Sequence, residues 1–145
     1  MNSNLDSFID DLQDQIFEDA RVAFGKKVYQ RWRQPLYMLA MDNPDGHANL
    51  KGECGDSIEI FFKFENNQVA RASFLTDGCS TSVVCGSYAA EMALGKTGDQ
   101  LLEIDGETIL AELGGLPEEN EHCARLAAES LHAALDDFMK KARDI

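Results

Sequence analysis

Paired cysteine motifs are missing from this chain of 145 residues: neither the C-x-x-C pairs of zinc ribbons nor the C-x-x-C-x-x-C run of ferredoxins occurs. Any metal site must therefore be assembled from cysteines distant in sequence. Positive charge is also scarce. Thirteen Lys and Arg stand against 26 Asp and Glu, for a net charge of -13 and a pI near 4.5. That balance repels phosphate backbones and anionic lipid, which argues against nucleic acid and membrane surfaces as partners. No apolar stretch approaches the length needed to cross a bilayer. The opening "MNSNLDSFIDDLQDQIFEDA" has neither the cationic start nor the apolar run of a secretory signal. A cytoplasmic, reducing setting is expected, in which the four cysteines read as metal ligands or reactive thiols rather than disulfides. Internal repeats and low-complexity tracts are absent. With 44% hydrophobic and 27% charged residues, the length suits one compact domain around one core.

What is present divides into periodic segments and breaker-rich joints. Residues 4–41 read as helix, capped by Ser3 or Asn4, with Leu5, Phe8, Ile9, Leu12 and Ile16 on one face and Pro35 interrupting. A loop, "DNPDGHANLKGECGDS", is expected over 42–57. "IEIFFKFE" then alternates Ile58, Ile60, Phe62 and Phe64 with Glu59, Lys63 and Glu65, and Asn66-Asn67 supplies a tight turn before "QVARASFL". In a two-residue-loop register Glu65 faces Gln68, and the same count carried outward sets Cys54 opposite Cys79. A bulge in the second arm would shift that register and keep Arg71 and Ser73 off the core face.

"STSVVCGSYAAEMAL" reads as a helix from Ser80 to Leu94, closed by Gly95. Two short helical pieces follow: "TGDQLLEI", where Thr97 and Gln100 suit a capping box, and "GETILAEL", which stops at Gly114-Gly115. In the last helix Cys123, Ala127, Leu131, Ala134 and Phe138 share one face. The fold class is α+β: an antiparallel sheet of two to three strands against several helices, with an acidic helical extension over 1–25 ahead of a body at 26–145.

Three thiols sit at element ends, in "GECGDS", "TDGCST" and "EHCAR". Cys54, Cys79 and Cys123 supply soft thiolates, His122 an imidazole and Asp56 a carboxylate, a set that fits tetrahedral zinc or an iron-sulfur cluster. Cys79 and Cys123 each open a helix, where the positive end of the dipole favours thiolate. His122 points about 100° around the helix from Cys123, so the two can flank one site. Gly52, Gly55 and Gly78 leave the backbone room to fold around an ion. Structural readings stand beside these. Cys123 also begins a buried stripe, Asp56 could cap a turn, and Cys85, inside a helix beside Val83 and Val84, reads as core packing. His47 and His132 read as solvated.

These residues resemble the U-type iron-sulfur cluster assembly scaffolds, the family of the NifU N-terminal domain and IscU. Cysteine, Gly-Asp and a strand stand in "ECGDSIEIFFKF" at 53–64. Gly-Cys opening a helix that ends Gly-Lys-Thr stands in "DGCSTSVVCGSYAAEMALGKT" at 77–97, and His-Cys before Leu-Ala and a terminal helix in "EHCARLAAESLHAAL" at 121–135. The likeness spans about residues 26–143.

The resemblance implies a scaffold without turnover of its own. Such a protein takes persulfide sulfur from a cysteine desulfurase, takes up iron, builds a transient [2Fe-2S] cluster and passes it to apo acceptor proteins. It implies Cys54, Cys79 and Cys123 as cluster ligands, His122 and Asp56 as the exchangeable fourth position, Cys123 as sulfur acceptor, and Asp56 as the residue that keeps the cluster labile. Zinc on the same ligands in isolated protein is also implied. Isc-type relatives carry Leu-Pro-Pro-Val-Lys before the His-Cys, grasped by an Hsp70-type chaperone. Here "LPEEN" at 116–120 stands instead, which makes delivery through that chaperone doubtful. His122 argues against the Suf-type relatives. Two other classes fit the same residues: a structural zinc adaptor, and a thiol enzyme using Cys123 or Cys79 with His122 as base, for which no oxyanion hole is evident.

Overall fold

The computed structural model describes residues 5, 7–15, 25–53 and 55–143. Residues 7–15 are helical, and Leu5, Phe8, Ile9 and Leu12, the described residues of the expected stripe, lie exposed. Ile16 lies outside the described residues. The expected helix to residue 41 is not continuous either. Gly25 at φ 87 precedes α1 (Lys26–Arg33), and the chain leaves the helix at Gln34, φ -137, because Pro35 excludes the helical region for the residue before it. Beyond Pro35, Met38 bridges Phe74 and the Tyr37 carbonyl accepts from the Phe74 amide at 2.9 Å.

The expected 42–57 loop contains a strand, β1 (Gly46–Lys51), which pairs antiparallel with β2 (Ser57–Glu65). "GHANLK" has little intrinsic strand character; pairing and the packing of Ala48 and Leu50 on the core decide it. β2 pairs with β3 (Gln68–Thr76), completing a sheet of order β1-β2-β3. Glu65 pairs with Gln68 and Phe64 with Val69, but Lys63 then pairs with Arg71 and Ile58 with Thr76. The bulge moves Arg71 to the exterior and Ser73 to the face opposite Ile58, Ile60, Phe62 and Phe74, all fully buried. The shifted count no longer sets position 54 opposite Cys79. Cys54 itself lies outside the described residues.

Helices close the core from one side. α2 (Ser80–Ala93) packs on β3, and α5 (Glu121–Arg143) packs on β1, β2 and α2. α3 (Gly98–Leu102) starts on a Thr97–Gln100 capping box, as the sequence indicated, and α4 (Gly106–Leu113) ends at Gly114, φ 86. In α5, Cys123, Ala127, Leu131 and Ala134 are buried together, and Phe138 stacks on Phe64 at 4.0 Å. Arg31 ties α1 to α2 through Ser87 (3.0 Å), Glu91 (3.1 Å) and the Tyr88 ring (4.1 Å).

Two histidines expected to be solvated are instead engaged. His47 pairs with Glu59 and stacks on Phe61 at 4.9 Å, because β1 lays it across the sheet. His132 Nε2 donates to the carbonyls of Leu101 (3.2 Å) and Ile104 (2.8 Å), satisfying the end of α3. His132→Ala is expected to cost about 1–2 kcal/mol, read as a lowered midpoint in chemical denaturation with the slope unchanged.

Candidate metal and thiol site

The site forms where three chain ends meet: the entry to β2, the N-terminus of α2 and the first turn of α5. Local hydrogen bonds fix the first two. Gly55 N donates to Gly52 O (3.0 Å) and Gly52 N to Asp56 O (2.7 Å), folding a tight turn ahead of β2. Asp77 accepts from the Ser57 amide (2.8 Å) and hydroxyl (3.0 Å), bonds that hold its carboxyl below the usual range. Thr76 Oγ1 donates to Ser57 O at 2.6 Å. The entry to β2 and the exit from β3 are thus locked together, with Asp56 on one side and Cys79 on the other.

Asp56, Cys79 and Cys123 present ligand atoms that all lie within 4.8 Å of one another. Cys79 is exposed at the N-cap of α2; Cys123 is buried and Asp56 half-buried. His122 Nε2 lies 3.6 Å from Cys123 Sγ, yet His122 stands outside that trio and lines an adjoining cleft of about 290 Å³ with Glu53, Arg125 and Glu129. Cys85 is fully buried and is not one of the three converging donors; burial pushes its thiol far above the ordinary range, and charge on Cys123 and Cys79 adds to the rise.

The two site thiols differ. Burial pushes Cys79 up, but hydrogen bonds from the Thr81 hydroxyl and the Ser82 and Thr81 amides outweigh it, and the thiol is held below its ordinary value. For Cys123 burial prevails over hydrogen bonding with Thr81 and Ser82, and charge on Cys79 and Asp56 adds to it, so this thiol is raised. The two thiols are thus shifted in opposite senses, the solvent-facing Cys79 toward the thiolate form and Cys123 beneath it away from that form.

Sequence reasoning missed the polar groups under the donors. Thr81 Oγ1 lies 2.9 Å from Cys79 Sγ and 3.3 Å from Cys123 Sγ, and Asn120 Nδ2 donates to it at 3.5 Å. Ser82 Oγ donates to Asp56 Oδ2 at 3.2 Å. The signal lay in "CSTS", whose hydroxyls occupy the first turn after Cys79. Asn120 closes a short turn, Glu118–Asn120, within "LPEEN" at 116–120.

A cluster of two thiols and a carboxylate that could hold a metal ion is thus carried on a three-stranded antiparallel sheet packed against helices, an α+β fold. Solved structures share that fold. The N-terminal NifU-like protein of Brucella abortus superposes with a TM-score of 0.66 at 16% identity, over 83% of this chain and 97% of that one. A putative SUF-system scaffold from Fervidobacterium islandicum gives 0.63 at 17%, over 80% and 98%. Among curated proteins, the iron-sulfur cluster assembly scaffold protein IscU 1 of Archaeoglobus fulgidus is 33% identical over 119 residues, 81% of this chain and 78% of its own. The scaffold protein IscU of Aquifex aeolicus is 30% identical over 121 residues, 81% and 77%. The NifU-like N terminal domain family matches residues 23–144, and the chain belongs to that family.

Proposed function

We propose that this protein is a scaffold on which a labile [2Fe-2S] cluster is built as cargo and from which it is handed to apo acceptor proteins. The observation that carries the reading is the convergence of Asp56, Cys79 and Cys123 within 4.8 Å at a point where Cys79 reaches solvent. Membership of the family supports it. Iron and desulfurase-derived sulfur are the substrates, and the protein has no turnover of its own. Cys54, Cys79 and Cys123 hold the cluster, with Asp56 and His122 sharing the fourth position.

Cys123 takes the persulfide in this reading. Its thiol must lose a proton before it attacks the outer sulfur of the desulfurase persulfide and displaces the desulfurase cysteine as thiolate; His122, 3.6 Å away, is the group placed to take that proton, and Thr81, 3.3 Å away, can donate a hydrogen bond to the sulfur. Residues 26–145 form the scaffold body and 1–25 an extension. Partners are a cysteine desulfurase and apo acceptors; the "LPEEN" segment gives an Hsp70-type chaperone no matching peptide.

Asp56 is assigned the lability. A hard carboxylate among soft thiolates is a weak iron donor, so one iron is held less firmly. Asp56→Ala is expected to lengthen the life of the bound cluster severalfold, measured as decay of visible absorbance after anaerobic reconstitution. Faster decay than wild type would remove the assignment. The competing reading, a structural zinc adaptor, expects chelation to unfold the domain. The scaffold reading expects the apo form to keep its fold, because apolar packing of the sheet on α2 and α5 supplies the core.

A further inference from the structure

Ser82 is fully buried below the donors, with its hydroxyl 3.2 Å from Asp56 Oδ2, 3.5 Å from Cys123 Sγ and 4.0 Å from Cys79 Sγ. A hydroxyl has one proton to give and two lone pairs, and an ionised carboxylate can only accept. The shortest of the three contacts directs the Ser82 proton to Asp56, and while it is held there Ser82 can only accept from a thiol S–H. Once both thiols are deprotonated by a metal, that acceptance ends, while the bond to Asp56 persists.

Thr81 has the opposite position. Asn120 occupies one of its lone pairs, it touches no carboxylate among the described residues, and its proton is available to a sulfur. The backbone protects this division of labour. A Cβ at Gly78 would fall 2.6 Å from Ser82 Oγ and 2.9 Å from Asp56 Cγ, so only glycine lets the hydroxyl and the carboxylate meet.

We propose that Ser82 is a positioning residue that acts through Asp56: its buried hydroxyl holds Oδ2 and presents the carboxylate to a metal carried on Cys79 and Cys123. The inference rests on the scaffold reading of the site. Hydrogen-bonded carboxylate ligands lose affinity for metal when the partner is removed, typically by about 10–100-fold.

The test is a titration of the full chain with Co²⁺ alone, followed by thiolate-to-cobalt charge-transfer absorption. Ser82→Ala is expected to weaken binding about tenfold, and in an Asp56→Ala background by less than about twofold. Gly78→Ala, which wedges the same pair apart from the other side, is expected to repeat the pattern should Ser82→Ala fold poorly. Equal weakening in both backgrounds, or none in either, overturns the assignment to Asp56. A charge-transfer band that is absent from wild type, or that survives Cys79→Ala and Cys123→Ala, sinks the scaffold reading itself. A band lost in those variants yet indifferent to Ser82 sinks this inference alone.

Discussion

Cys79→Ala and Cys123→Ala are each expected to abolish accumulation of an iron-sulfur chromophore while leaving the domain folded. The reason is donor count. Asp56, Cys79 and Cys123 meet within 4.8 Å, and removing either sulfur leaves that trio one soft thiolate and one hard carboxylate, one sulfur short of what iron-sulfur cargo needs. Loss of the thiol at Cys79 removes the one donor of the three that is exposed, so entry and exit of iron are affected as well. Cys54→Ala carries the same expectation by resemblance to the family.

Reconstitution with iron, cysteine and a desulfurase, followed by visible absorbance and by iron and sulfide analysis, measures the effect. Cys85 provides the control: its buried thiol lies off the site, so Cys85→Ala should leave the spectrum unchanged. Cys85→Ser should leave it unchanged too, but it buries a hydroxyl among apolar neighbours at a cost of about 1–3 kcal/mol. A full spectrum from either the Cys79 or the Cys123 variant would remove the proposed function.

Phe74→Ala is expected to destabilise the fold by about 3–5 kcal/mol, a loss of roughly 10 °C or more in the unfolding midpoint. Phe74 is fully buried on β3 and presses against α2 where Gly86 leaves no side chain. A Cβ at Gly86 would lie 2.7 Å from Cε2 and 3.1 Å from Cγ of the ring. The contact is thus a knob on the strand filling a notch in the helix. Gly86→Val, which closes the notch, should cost at least about 1–3 kcal/mol through overpacking. Because the two residues share one space, the Phe74→Leu and Gly86→Ala pair should cost less together than the sum of the singles. Additive costs from thermal unfolding would show that the helix absorbs the extra volume by shifting.

The Phe74–Gly86 notch was invisible to a reading of local pattern, and so were several other features. β1 reads as loop because "GHANLK" lacks alternation and strong strand formers; its strand state comes from pairing with β2. The bulge opposite Lys63 was foreshadowed only by Arg71 and Ser73, which would otherwise have faced the core. The apolar face of residues 5–15 was legible as helix, but what it does was not, since periodicity reports a face and not its partner. His47 and His132 were misjudged for one reason: an imidazole's partners are set by whatever element crosses above it.

At the site, Cys79, Cys123 and Asp56 were legible as a chemical set, and His122 beside Cys123 as a neighbour. Thr81, Ser82 and Asn120 were not, because hydroxyls and amides are common at helix starts and become part of a site only through what lies within hydrogen-bond reach.

By itself the sequence determined the local elements, namely the hairpin turn at Asn66-Asn67, the Thr97–Gln100 capping box, the buried face of α5 and the inventory of soft donors. These depend on neighbours a few residues apart, where side-chain periodicity and backbone preference act directly. Tertiary structure alone decided that a carboxylate before β2, a thiol opening α2 and a thiol in α5 share one corner, and that two buried hydroxyls separate their roles. Those contacts join residues more than 20 positions apart. Only the packing of the sheet against α2 and α5 sets their distances.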